Sequence, residues 1–218
     1  MLRAFTKCAE SMENQWKSEY AAKLTTAEAA VKRIADGDTV YIGTCSSTAY
    51  ALCRALGDRG EELKDVTLTC SQIIRPLVIM SGKYPDAFRV CTYFMGAQER
   101  GLRKTGQCDY TSVHLSQINI FCEQTAPANV AFLEVSPPDE NGYMSFGATG
   151  VALHTYSQEN AKTVILQVNR NVPYVYGDRA LIHVSDADMI VEADEELVEN
   201  PEMPLDSTIQ TISDFLLE

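Results

Sequence analysis

The chain has 218 residues, 45% of them hydrophobic, with a net charge of −12 and a pI near 4.7. That length suits one large α/β domain spanning 1–218, and the acidity argues against sequence-independent nucleic-acid binding, which needs a basic face. Seven scattered cysteines with no CxxC, and no early apolar run of signal-peptide or membrane-span length, are the pattern of a reduced, cytoplasmic protein.

Residues Met1–Tyr20 place Trp16 and Tyr20 at i, i+4 among polar neighbours, the spacing of an amphipathic first helix. Thr25 or Thr26 is placed to cap a second helix, AEAAVKRIA, which Asp36-Gly37-Asp38 ends before a short strand at Thr39–Ile42. Gly43-Thr44-Cys45-Ser46-Ser47 is a small-residue loop leading into a helix at Thr48–Asp58. Such a loop either cradles an anion through its NH groups and the helix dipole or simply permits tight strand–helix packing. Val66–Cys70 alternates as a strand, while Ile73–Met80 is apolar but broken by Arg75-Pro76 and carries no clear assignment. Phe88–Met95 reads as a strand and Gly96–Thr105 as a helix that Gly106 ends.

Asn129–Val135 (NVAFLEV) has the pattern of a strand buried on both faces. Pro137 and Pro138 stop its ladder, and Asp139-Glu140-Asn141-Gly142 is the composition of a tight turn that needs a positive φ. Tyr143–Phe146 follows as a short return strand, Gly147 opens a helix, and Thr149–Asn160 is helical. Open α/β sheets bind ligands just beyond the carboxyl ends of their strands. This segment stands there with acids, an amide, a hydroxyl and NH groups. Lys162–Val168 is another buried strand, Tyr174 and Tyr176 flank Val175 in the alternation of packed side chains, and Asp188–Ala193 is a last strand. Asp194–Asp206 is acidic, contains Pro201 and Pro204, and reads as a solvated loop before a closing helix, Ser207–Leu217, capped by Asp206 or Ser207.

Ser136-Pro137-Pro138-Asp139-Glu140-Asn141-Gly142-Tyr143-Met144-Ser145-Phe146-Gly147 resembles the S-P-x-D-x-x-G-Y-x-S-x-G signature of the acetyl-CoA hydrolase/transferase family, which includes 4-hydroxybutyrate and butyrate–acetate CoA-transferases. The opening is similar to that family too, through Lys23, Leu24, Thr26, Glu28, Ala30, Val31, Ile34, Gly37, Asp38, Val40 and Gly43. Further matches are Gly96 and Arg100, then Gly106, Asp109, Tyr110, His114 and Ser116, and finally Asn169, Pro173, Gly177 and Ile182–Ser185. The resemblance implies a three-layer α/β/α fold with a mainly parallel sheet, like the N-terminal domain of CoA-transferases.

Members of that family are roughly twice as long, two similar α/β halves in one polypeptide. The resemblance therefore implies an N-terminal, substrate-binding half whose nucleophilic glutamate lies in the C-terminal half, so that this chain alone is inactive. A coenzyme A thioester and a small carboxylate would be the substrates, with no permanently bound cofactor. The partner would be a C-terminal CoA-transferase half, in the same gene or a separate subunit. An apolar docking face left open would favour a homo-oligomer. Residues implied to line the cleft are Gly43, Ser46, Ser47, His114, Glu140, Asn141, Gly142, Tyr143 and Gly147, binding substrate without covalent chemistry.

Glu140 is the alternative nucleophile, since a related class of CoA-transferases uses a glutamate in an E-N-G context. His114 reads either as a contact to a carboxylate or thioester or as a structural residue. His114, His154 and His183 have no zinc-ligand spacing, and no GxSxG elbow, P-loop or GxGxxG is present. An acyl-CoA hydrolase of the same family, a sugar-phosphate isomerase-like enzyme and a non-catalytic binding subunit are the other readings.

Overall fold

A computed structural model describes residues 15–150, 153–199 and 205–217. The start of the expected first helix, together with Pro201 and Pro204, lies outside the described residues. Helix α1 (residues 15–23) carries Trp16 and Tyr20, both half-buried. Helix α2 (Ala27–Ala30) begins at Thr26, whose Oγ1 accepts the Ala29 N–H at 3.2 Å, and one 3₁₀ turn continues it. Next come β1 (Thr39–Thr44), α3 (Tyr50–Gly57) and β2 (Val66–Ser71). Ile73–Met80 resolves into irregular chain and one 3₁₀ turn, because the proline in Arg75-Pro76 removes a ladder donor.

The chain continues through β3 (Phe88–Thr92), α4 (Ala97–Arg103), β4 (Cys108–Tyr110) and α5 (Ile118–Ile120), which widens into a π turn. After β5 (Val130–Val135) it forms β6 (Tyr143–Ser145), α6 (Gly147–Gly150) and α7 (His154–Asn160). It closes through β7 (Thr163–Val168), β8 (Leu181–His183), β9 (Met189–Glu192) and α8 (Ser207–Leu217). The helix expected at Thr149–Asn160 is thus two pieces. A side chain on Gly150 would stand 2.6 Å from the His154 ring, and Leu153 leaves helical geometry to turn that ring inward.

Among the described residues seven strands form one sheet in the order β4-β3-β2-β1-β5-β7-β9, and every neighbouring pair is parallel. The expected α/β fold with a mainly parallel sheet is what the chain adopts. β6 and β8 pair antiparallel as a separate ribbon above it. The chain walks outward from β1 to β4, then crosses back to place β5 against the other side of β1. That reversal puts the loops after β1 and β5 side by side, the place where open sheets bind ligands.

Alternation along the strands divides the core. Val40, Ile42, Val130, Phe132 and Ile165 face α2 and α3, while Tyr41, Ala131, Leu133, Val164 and Leu166 face the opposite layer with Phe121 and Leu153. Each buried Leu or Phe of this kind stabilises the fold by about 1.5–3 kcal/mol relative to exposure. Helix α4 offers a control on local propensity. Gly101 sits in mid-helix with nothing within 4 Å of a built Cβ. Gly101→Ala is therefore expected to stabilise the chain by about 0.5–1 kcal/mol in urea denaturation.

Candidate functional site

All six residues of β5 are buried, and Pro137 and Pro138 end it at the carboxyl edge of the sheet. Asp139 then builds the turn. Its Oδ1 accepts from Asn141 N (2.8 Å) and Tyr143 N (2.9 Å), its carbonyl accepts from Gly142 N (3.1 Å), and its Oδ2 accepts from the Tyr174 hydroxyl (2.9 Å). Burial, reinforced by the Asp139 carboxylate, pushes the Tyr174 phenol up to about 12. Gly142 has φ +86°, and a Cβ there would lie 2.8 Å from Trp16 Cγ and 2.9 Å from His183 Nε2. Only glycine serves both demands.

Two side chains brace the turn from outside. Trp16 Nε1 donates to the Glu140 carbonyl (3.1 Å), and His183 Nε2 meets the Asn141 carbonyl (3.2 Å) while its ring lies 4.9 Å from that of Tyr143. A carbonyl can only accept, so the His183 proton sits on Nε2, leaving Nδ1 to accept from Ser185 N (3.1 Å). The turn thus consumes the Asp139 carboxylate and several of its own NH groups. The Glu140 and Asn141 side chains and the Tyr143 ring remain exposed.

On the neighbouring strand, β1 leads into Gly43 at φ +103° and Cys45 at φ +49°. Ser46 Oγ lies 2.6 Å from Thr149 Oγ1, so the fold joins this loop to α6, where Gly147 is buried at φ +67°. Ser47 is buried as well. The first-turn donors of α3 are already taken: Gln167 Oε1 accepts from Ala51 N (2.9 Å) and Leu52 N (3.3 Å). An anion at this loop is left with the loop's own NH groups rather than those of the helix.

His114 stands elsewhere. It lines a separate hollow of about 310 Å³ with Ser112, Gln117 and Phe121, beside edge strand β4. Four strand spacings separate β4 from β5, roughly 19 Å. The fold therefore gathers Gly43, Ser46, Ser47 and Gly147 through the Ser46–Thr149 contact, packs Glu140–Tyr143 against Trp16 and His183, and leaves His114 beside β4.

A cleft of about 580 Å³ lies at the carboxyl ends of β5, β7 and β9, with Pro137 and Pro138 of the motif in its lining. Trp16, Lys17 and Tyr20 of α1 form one wall. Pro137 and Pro138 form another, while Val168, Arg170 and Glu192–Asp194 close it. Its rim charges are partly paired: Tyr20 donates to Glu192 (2.8 Å), and Arg170 Nε lies 3.2 Å from Asp194 Oδ2. The sequence signal for this wall was the Trp16–Tyr20 spacing, read there as helical packing alone. Residues 194–199, expected as a solvated loop, are tied down through Asp194 and Glu195. Glu195 pairs with both Arg54 and Arg75. No cluster of metal-ligating side chains, and no helix long and apolar enough to cross a membrane, occurs among the described residues.

Residues 7–200 match the family model described as the acetyl-CoA hydrolase/transferase N-terminal domain. A butyryl-CoA:acetate CoA-transferase of Anaerostipes caccae is 34% identical over 182 residues, covering 82% of this chain and 41% of that protein. The 4-hydroxybutyrate coenzyme A transferase of Clostridium kluyveri is 33% identical over 194 residues, covering 85% and 43%. RipA from Yersinia pestis superposes with a TM-score of 0.85 at 27% identity, over 92% of this chain and 49% of that one. The chain spans less than half the length of these relatives.

Proposed function

Because the chain belongs to the acetyl-CoA hydrolase/transferase family, we propose that it is the substrate-binding half of an enzyme that moves coenzyme A between an acyl-CoA and a small carboxylic acid. The nucleophilic glutamate belongs to a second half, equivalent to the remainder of the longer relatives. Its carboxylate attacks the thioester carbonyl and expels the CoA thiolate, leaving a mixed anhydride. The thiolate then attacks the glutamyl carbonyl, releasing the first acid and forming a glutamyl-CoA thioester that an acceptor carboxylate opens in reverse. This chain supplies Gly43, Ser46, Ser47 and Gly147 at the β1–β5 crossing, and Glu140, Asn141, Gly142 and Tyr143 on the adjoining turn. His114 is proposed as a more distant contact.

One observation carries the division of labour. Glu140, the candidate nucleophile of this chain, projects from the turn outside both hollows, exposed to solvent. A carboxylate meant to attack a thioester needs a dry, shaped site. A second feature supports a docking partner at the same edge. Ile74, Phe94, Tyr110 and Tyr176 are large, exposed side chains that stand on or beyond the carboxyl ends of β2, β3, β4 and β7. Large apolar side chains left exposed along one edge of a sheet are what a docking partner would cover, and in its absence the chain would self-associate.

The test is acyl exchange between butyryl-CoA and acetate, run with this chain alone and with a separately produced C-terminal half of a relative. Exchange is expected only from the pair, and Glu140→Ala, which removes a substrate contact but no nucleophile, should raise KM by about tenfold or less while exchange continues. Turnover by the chain alone that Glu140→Ala abolishes would overturn the reading. Release of free CoA without any dependence on acetate would favour the hydrolase of the same family.

A further inference from the structure

The loops after β1 and β2 leave the sheet in the same unusual way. Thr44 and Ser71 are in register at the carboxyl ends of the two strands, and their hydroxyls bond to one another. The next residue on each strand is a non-glycine in the left-handed region, Cys45 at φ +49° and Gln72 at φ +48°. L side chains rarely adopt that conformation, and it persists only where the surroundings hold it. The two side chains meet over the strand ends, where the Cys45 thiol donates to Gln72 Oε1 at 3.3 Å.

Three neighbours hold Gln72 in place. Its N–H donates to the Phe94 carbonyl (3.1 Å), beyond the end of β3. Glu99 of α4, fully buried, accepts from Ile73 N at Oε1 (2.8 Å) and from Gly96 N at Oε2 (2.9 Å). One carboxylate thus ties the chain after β2 to the chain after β3. Gly96 makes the room, since a Cβ there would stand 3.2 Å from Gln72 Cα and 3.4 Å from its Cγ. The β1 side is fixed as well. Gln167, which holds the start of α3, donates through Nε2 to the buried Glu134 Oε1 (3.2 Å), as Asn169 does through Nδ2 (3.1 Å).

What this framework presents is an exposed amide. Cys45 occupies Gln72 Oε1, while Nε2 has no bonded partner among the described residues. Arg75, the cation of the same loop, is spent elsewhere: it pairs with Glu195 and lies over the Tyr50 ring. The two N–H donors of Gln72 are therefore the open polar groups of the loop after β2, next to the residue that precedes Ser46.

We propose that Gln72 is a further substrate-contact residue: its side-chain NH2 donates to the carboxylate of the small acid, beside the Gly43–Ser47 loop. The proposal rests on the transferase reading and adds to it a donor from a second loop. A carboxylate is the fitting ligand because the NH2 offers donors only, and a charged acceptor makes the stronger bond. Donors fixed before the ligand arrives lose little freedom on binding it, which gives the strained backbone a purpose.

Titration of the nitrogen-15-labelled chain with sodium butyrate tests the idea without the second half. The Gln72 side-chain signals are identified by their absence in Gln72→Met, which keeps the length and removes both donors. They should shift on the same saturating curve as the backbone amides of Gly43–Ser47. Gln72→Met should weaken that binding about tenfold, with the rest of its spectrum unchanged. Sodium chloride at equal ionic strength and butan-1-ol, which lacks the carboxylate, should move neither set. Gln72 signals that stay still, a shift that chloride reproduces, or undiminished binding by Gln72→Met would each overturn the proposal. So would the absence of any saturable shift, and acyl exchange by the two halves together would then still decide the transferase reading. If Gln72→Met does not fold, through-bond assignment in the parent identifies the Gln72 signals, and their shift or stillness decides.

Discussion

Replacing Glu134 by glutamine should stabilise the chain against urea by about 3 kcal/mol more at pH 8 than at pH 4.5, each measured relative to the parent. The folded-state value of about 7 lies above the ordinary 4.5 because the side chain is buried. An acid raised in the folded state favours folding fully below 4.5, and that contribution is lost as pH climbs through 7. At about 1.4 kcal/mol per pH unit over some two and a half units, the loss is about 3 kcal/mol. Glutamine has no proton to lose and escapes it.

The parent alone should hide this dependence over part of the range. His154 is fully buried, its Nδ1 lies 3.1 Å from the Tyr41 hydroxyl, and its Nε2 has no partner among the described residues. Burial pushes it down from 6.5 to about 3. A base lowered in the folded state favours folding above 6.5 and loses that contribution as pH falls toward 3. Between pH 4.5 and 6.5 the two slopes are equal and opposite, so the parent's stability should be nearly flat there. Glu134→Gln should unmask the histidine, losing about 3 kcal/mol from pH 6.5 to 4.5. A flat profile in the variant would show that the two groups do not titrate as described.

Gly43→Ala should be the most damaging single methyl in the chain, lowering stability by about 3 kcal/mol or more. The residue has φ +103°, where an L side chain is strained. A Cβ there would also stand 2.5 Å from the Ser47 carbonyl oxygen and 2.7 Å from Thr48 Cα. Both are backbone atoms of the turn that leads into α3, so relief requires moving main chain rather than a rotamer. Because that helix is pinned by Gln167, the strain should spread to the Ser46–Thr149 contact. Urea denaturation set beside Gly101→Ala gives the scale, since the same chemical change at an open helical position is expected to have the opposite sign. Equal effects at the two sites would refute the steric argument.

Much of the fold was readable in order along the chain. Buried runs such as NVAFLEV and KTVILQV announced parallel strands because such strands are apolar on both faces. Thr26 and Asp206 announced helix starts, and the structure shows both capping, Asp206 through a 2.8 Å bond from Ile209 N. The short strands β4 (Cys108–Tyr110) and β8 (Leu181–His183) escaped notice because three residues carry no period. The turn at Asp139–Gly142 was legible from its proline stop and its glycine. What braces it was not, since Trp16, Tyr174 and His183 come from three distant segments.

From the sequence alone came the family, the parallel α/β class and the identity of the loops that border the β1–β5 crossing. The family came from the resemblance of its motifs, whereas the buried strands and the loops follow from local composition and spacing, which neighbouring residues set between themselves. Only the folded chain decided that Gln167 closes the α3 N-terminus, that His114 stands apart from the turn, and that Glu134, Gln167 and Asn169 form one buried system. Those outcomes depend on strand register, which aligns side chains more than thirty residues apart and leaves no trace in either segment alone.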